Sequence, residues 1–358
     1  MKIGPSRPLW KNVQHAVYND REEGGGEAVQ QVARTIVRPG LAAALSIVVV
    51  AGLGVVSAHA AEAGNDDLQI LHVRKNVYMI AGDGANIGVQ IGVDGAVLVN
   101  AGTAAGTDAL VAAVKKITPL PIRYIIDTDA DAESVGGNAN VAAAGISLFH
   151  APLGPGASIL SYDTVLARMA ATRGQPGGYP DSGWPTDAYL FKRTTLYING
   201  EPIEIYHEPA AHTDGDSVVL FRSDDVVFAG GIMDETRFPA IDLADGGSVQ
   251  GEIDALNHLL ELADPPTPLI FEYVGTAVIP DHGRVCDQQE VVDYRDMVVR
   301  LRDTVAYMMK QHMTLRQIEA ANPAEAYPQY RSADMFIEAV YKDLSTKKPK
   351  KVKASDEG

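Results

Sequence analysis

The chain has 358 residues, 46% of them apolar, enough to bury a full core in one large domain or two modest ones. Acidic side chains outnumber basic ones 46 to 30, a formal net charge of −16 that speaks against nucleic acid or anionic lipid as a partner. The single cysteine, Cys286, permits no internal disulfide, so stability has to come from the core or a bound ion.

The first sixty residues read differently from the rest. Residues 1 to 33 are polar and carry no structural signal, then Arg34 and Arg38 precede an apolar run from Leu41 to Val56, and Ala58-His59-Ala60 forms a small-residue cleavage motif. The run is short against the ~20 residues of a membrane span. We therefore expect an N-terminal extension and signal peptide over residues 1–60, cleavage near Ala60, and a periplasmic or secreted mature chain. An inner-membrane anchor is the alternative. Without residues 1–60 the balance is 24 basic to 42 acidic, a net of −18, and no membrane span is expected to remain.

Leu68 to Gly82 and Ala85 to Gly102 alternate apolar and polar residues, with turns at Asn76 and at Val93-Asp94-Gly95, which predicts a small antiparallel sheet. Thr107 to Ile117 has helical periodicity, Ile122 to Ile126 is a buried strand, and Gly137 to Ala144 a short helix. After a Gly/Pro-rich passage, residues 174–185, four strands follow in "LFKRTTLYI", "EPIEIYHEPA", "SVVLFRS" and "DVVFAGG". A helix at Val249 to Leu262 and a strand at Thr276 to Ile279 close the second unit. Both halves run from sheet to helix, the pattern of a four-layer αββα sandwich, although an ordinary α/β domain fits the composition as well. Helices from Gln289, over Leu315 to Ala321 and over Asp334 to Leu344 form a C-terminal helical extension packed on the domain (287–345), and the lysine-rich residues 346–358 are expected to be disordered.

The polar clusters fall at strand ends: Asn100, the Asp127–Ser134 loop, His212, Gly230-Gly231 and His282. In "IIDTDADAESVGGN" the carboxylates Asp129, Asp131 and Glu133 stand at alternate positions. Three carboxylates with oxygens ~4 to 6 Å apart repel by about a kcal/mol or more per pair at an effective dielectric of 20, so a proton or a cation has to sit among them.

The segments "VLVNAG", "IIDTDADAESVGGN", "PAAHTDGDSVVLF", "VVFAGG" and "VIPDHGR" resemble, in order and setting, those of the metallo-β-lactamase superfamily, over Leu68 to Cys286. Within it, the chain resembles the exported quinoprotein- and sulfur-oxidation-associated type, which shares the "NVYMI", "HTDGDS" and "DYRDMV" passages. The resemblance implies a domain over residues 66–286 and a bridged dizinc centre that splits water. Carried over, the two loop histidines of the first metal fall on Asp129 and Asp131, and its third on His212. The Asp and His of the second metal fall on Glu133 and Ser134, its last histidine on His282, and the bridging Asp on Gly231, which has no side chain. The usual dizinc centre is therefore not expected.

Two functions follow. In the first, one divalent or other hard ion is held by Asp129, Asp131, Glu133, His212 and His282 in a metal-dependent hydrolase acting on a small molecule. Asn100, Asp127, Ser134 and Gly231 then surround the ligands, and the Asn100 amide is expected to donate to an Asp ligand where a histidine ligand wants an acceptor. In the second, the site has eroded and the protein is a non-catalytic periplasmic binding or partner protein. Tyr179 and Trp184 separate the two: folded over the pocket they form a lid, and facing solvent they offer a partner surface. Asp234 is read as a solvated loop carboxylate, Asp214 and Asp216 as turn-shaping, and Cys286 as a buried inert thiol.

Overall fold

The computed structural model describes residues 68–148, 156–267 and 275–346. The expected leader and cleavage motif lie outside the described residues, as does the tail from residue 347 on. Among the described residues, no helix is long and apolar enough to cross a membrane.

Strands β1 (Gln69–Arg74), β2 (Val77–Ala81), β3 (Ile87–Ile91) and β4 (Ala96–Val99) pair antiparallel in sequence order. Helix α1 (Thr107–Ile117) then makes the crossover to β5 (Ile122–Ile126), which is parallel to β4. The short helices α2 (Ala132–Val135) and α3 (Asn138–Ala143) follow. Strand β6 (Ser158–Tyr162), helix α4 (Asp163–Ala171) and strand β7 (Asp187–Tyr189) complete a seven-stranded sheet in the order β1 to β7. The second sheet has five strands, ordered β12-β11-β10-β9-β8: β8 (Arg193–Ile198), β9 (Glu201–Glu208), β10 (Asp216–Phe221), β11 (Val226–Gly230) and β12 (Ala277–Pro280). Helices α5 (Val249–Leu262), α6 (Gln288–Lys310), α7 (Leu315–Ala320) and α8 (Ala333–Thr346) account for the remainder. Residues Ser345 and Thr346 end α8, so the helix runs slightly further than expected.

Alternation along the strands builds the layers. Val97 and Val99 face Phe221, Val226 and Phe228 of the other sheet in one cluster, while Ala96 and Leu98 turn outward onto Leu110 and Val114 of α1. The outer face of the second sheet, through Val218, Val227 and Ala229, packs on Leu256 of α5, Val298 of α6 and Phe336 of α8. The result is the expected helix-sheet-sheet-helix sandwich with α6 to α8 added outside. A cap accounts for the sharp start of α6: Asp287 and Glu290 form a reciprocal capping box.

Three elements of the first sheet's far side, β6, α4 and β7, were not foreseen, nor was α2. The strands are only five and three residues long and lack a sustained alternation.

Candidate metal centre

Five loops meet at one edge of the sandwich, following β4, β5, β9, β11 and β12. Backbone bonds tie them together: Ala101 N–H donates to Ser134 O at 2.7 Å, Asp281 N–H to Met233 O at 2.8 Å, and Glu235 N–H to His282 O at 3.1 Å. The β5 loop can lie this close only because of its glycines. A Cβ on Gly137 would stand 2.2 Å from the Ala101 carbonyl oxygen. Together the loops line a narrow cleft that includes Asp129, Asp131, Glu133, Ser134, His212, Gly231, Asp234, Arg237 and Asp281.

The cleft has two halves. In the first, His212 Nε2 lies 3.3 Å from Asp131 Oδ2 while Nδ1 is 2.7 Å from the Ala240 carbonyl oxygen. That carbonyl can only accept, so it fixes the proton on Nδ1 in the neutral ring and turns Nε2 toward Asp131. Asp129 is buried, its Oδ1 accepting from Asp131 N–H at 2.9 Å and its Oδ2 lying 2.8 Å from Thr128 Oγ1. Burial, with the charges of Asp131 and Asp281, pushes the Asp129 carboxyl up to about 7 against the pull of His212. Asp131 is held low by its hydrogen bond with His212. Burial works against charge on His212, yet Asp131, Asp216 and Asp129 outweigh it and hold the imidazole well above its usual value.

The second half contains Glu133, Asp234, Asp281 and His282, and at its centre a residue that sequence reasoning passed over. Arg237 places Nη2 3.0 Å from Glu133 Oε1, 3.5 Å from Asp281 Oδ2 and 2.8 Å from His282 Nδ1, and its Nε bonds Asp234. His282 Nδ1 is also 2.9 Å from Asp281 Oδ2 and 3.1 Å from Asp234 Oδ2, and its Nε2 is 3.4 Å from Glu133 Oε2. Burial opposes the imidazolium, but these three carboxylates push His282 up to about 11. Glu133, bonded to His282 and Arg237, is held down at about 2.

The crowding inferred from the sequence is therefore real, and it is answered by side chains of the protein itself. The five expected ligands line one region without converging on a single point. Among the described residues, the groups whose ligand atoms all fall within 4.8 Å of one another are Glu133–Asp281–His282 and, elsewhere, Glu235–Cys286–Glu290. Asp129, Asp131 and His212 are looser, and Asp131, with its side chain half exposed, has the freedom to close on an ion.

Several expectations need correction. Asp234 is only 5% exposed and anchors the site, accepting from Thr236 and Arg237 backbone N–H groups at 2.7 and 3.1 Å, so it is no solvated loop carboxylate. Asn100, in a left-handed conformation at φ 66, does not donate to an Asp ligand. Its Oδ1 accepts from Thr128 N–H and lies 3.0 Å from Thr128 Oγ1, while its buried Nδ2 finds no partner. Turning the amide over would face two N–H donors together, so the orientation is set. Asp127 is buried beneath the loop on the Asn138 amide at 2.8 Å, and burial holds its carboxyl well above the usual range. Asp216 shapes the His212 turn as expected, bonding Thr213 N–H at 2.7 Å, and Cys286 is a buried thiol with a raised pKa. Asp214 instead pairs with Arg168 at 2.5 Å.

No protein-family model and no curated protein matches the chain in sequence. Solved structures resemble it in fold. The stereoselective inverting sec-alkylsulfatase Pisa1 from a Pseudomonas species superposes with a TM-score of 0.58 at 16% identity, over 78% of this chain and 50% of the sulfatase. This chain therefore spans about half the length of that protein. A metallo-β-lactamase from Pontibacter korlensis superposes with a TM-score of 0.50 at 18% identity, over 65% of this chain and 99% of that one. The fold is that of the metallo-β-lactamases.

The metal pair that the metallo-β-lactamase fold implies does not fit these side chains. Gly231 offers no bridging carboxylate, Ser134 no imidazole, and the Arg237 guanidinium stands among Glu133, Asp281 and His282. The other half offers two carboxylates and an imidazole with its outer nitrogen on a carbonyl, a mixed oxygen and nitrogen donor set that is not among the groups whose ligand atoms all lie within 4.8 Å of one another.

Proposed function

We propose that the protein is an exported metal-dependent hydrolase of the metallo-β-lactamase fold that uses one ion, held by Asp129, Asp131 and His212, on a small-molecule substrate. The observation that carries this reading is the orientation of His212. With Nδ1 committed to Ala240, its Nε2 is presented to Asp131 Oδ2 at 3.3 Å, in the cleft that Asp129 also lines. Asp129, Asp131 and His212 would hold the ion, which would supply Lewis-acid chemistry, polarising a substrate oxygen and lowering the pKa of water. The chain's own part is to orient and to exclude water. Tyr179, folded against the acidic loop through its hydroxyl on the Ala130 carbonyl at 2.9 Å, packs with Trp184 on Val135, Val165 and Met169, which favours the lid over a free partner surface.

The substrate reading adds an apolar arm. A groove of about 470 Å³ continues from His212 between the 239–244 loop and α8, lined by Pro239, Ile241, Leu243, Met335 and Ala339. It suits an ester-type electrophile carrying a hydrocarbon chain.

Elemental analysis and metal titration of the mature chain test the reading. The expected result is about one equivalent of Mn²⁺, Zn²⁺ or a similar ion, with Asp131→Ala abolishing both binding and turnover of short- and long-chain p-nitrophenyl esters. A wild-type chain that binds no divalent or trivalent ion removes the proposal. The second reading, a non-catalytic binding protein, is favoured by the internal pairing around Arg237, and it predicts no turnover on that panel.

A further inference from the structure

Glu133, Asp281 and His282 bring three ligand atoms within 4.8 Å of one another, close enough to share one cation. A cation is already there. Arg237 Nη2 is 2.8, 3.0 and 3.5 Å from His282 Nδ1, Glu133 Oε1 and Asp281 Oδ2. We infer that the Arg237 guanidinium is a resident replacement for a metal ion, and that this half of the cleft is a latent metal site which the arginine keeps closed.

Three features support it. The arginine is built in by its own loop: Asp234 binds its Nε and also takes the backbone N–H groups of Thr236 and Arg237, and Tyr294 Oη donates to the Arg237 carbonyl at 3.2 Å. A side chain fixed at both its backbone and its head group has not merely fallen into the cleft. Second, the donor set exceeds what a guanidinium uses. Asp281 Oδ1 is buried with no hydrogen-bond partner, and an arginine can only donate along its rigid fork, whereas an ion accepts donors from every direction. Third, the charges point in the same sense. Glu133, Asp234 and Asp281 surround the one permanent cation, and losing it leaves three clustered carboxylates whose repulsion a bound metal cation would relieve. The distances of 2.8 to 3.5 Å from Nη2 must contract to ~2.0 to 2.3 Å for an ion, so Glu133, Asp281 and His282 each have to close by about 1 Å into the space the guanidinium leaves.

The proposal concerns the half of the cleft that the hydrolase reading does not use, so the two can fail separately. The experiment compares the mature wild-type chain with Arg237→Ala, Arg237→Lys and the double variant Arg237→Ala/Glu133→Ala, each titrated calorimetrically with Zn²⁺ and Cd²⁺ and analysed for metal after gel filtration. Arg237→Ala is expected to bind one equivalent more than wild type, with thermal stability that rises on adding zinc. Arg237→Lys, still cationic, and the double variant, which lacks a donor, are expected to gain none. The wild-type count, zero or one, reports on the other half alone. A folded Arg237→Ala that binds no more metal than wild type overturns the inference. If Arg237→Ala does not fold without metal, Arg237→Gln is read the same way; failure of both to fold with zinc present also overturns it.

Discussion

Arg237 reaches Glu133 across 104 residues of chain, Nη2 to Oε1 at 3.0 Å, and joins the β11 loop to the β5 loop. Both side chains are about one-third exposed, so the pair is screened and its loss costs about 0.5–1.5 kcal/mol. Glu133→Gln is expected to lower the melting temperature by a few degrees, read by calorimetry, and to leave the metal count of the Asp129–Asp131–His212 half unchanged. A lost equivalent would return Glu133 to the ligands of that ion.

Tyr179 is the contact between the 174–185 passage and the acidic loop. Its hydroxyl bonds the Ala130 carbonyl, and burial, with nearby Asp131 and Asp129, pushes the phenol up to about 12, so it remains a donor at any physiological pH. Tyr179→Phe is expected to cost about 0.5–1.5 kcal/mol and to speed amide exchange over residues 129–133, measured by mass spectrometry.

Space beside Gly231 permits a side chain: a Cβ there would sit 3.6 Å from His212 Cδ2 and 3.8 Å from Asp129 Oδ2. Gly231→Asp should therefore fold, but with a new carboxylate against buried Asp129 it is expected to lose about 1–3 kcal/mol without metal. Thermal melts with and without Mn²⁺ check this, the ion restoring most of the loss.

Far from the cleft, His258 Nδ1 meets the buried Glu208 Oε1 at 2.5 Å, and that hydrogen bond raises the imidazole pKa against the effect of burial. A folded pKa above the unfolded value of about 6.5 means the pair's contribution is fully present below that pH and fades as pH climbs through the raised value. His258→Gln is expected to flatten that part of the melting-temperature profile above about pH 6.5, by about 0.5–1 kcal/mol.

Much of the architecture was legible because its signals are local. The alternation through Ile87–Ile91 and Ala96–Val99 and the helical spacing of Thr107–Ile117 and Val249–Leu262 mark their own elements. Asp129, Asp131, Glu133, His212 and His282 could be picked out because they stand in recognisable segments. Arg237 and Asp281 could not. Arg237 meets His282 45 residues away and Glu133 at more than twice that separation, so its importance exists only once three loops converge. Its one local trace is the i,i+3 pairing with Asp234, which in sequence looks like any surface ion pair. Asn100 misled for a related reason: its donor and acceptor ends look alike in sequence, and only the Thr128 backbone decides which faces which way.

A positive charge carried on the polypeptide cannot be stripped by a chelator or exchanged when the surroundings run short of an element. Having Arg237 among Glu133, Asp234 and Asp281 makes half of this cleft indifferent to supply, and confines any dependence on nutrition or sequestration to the half that contains His212.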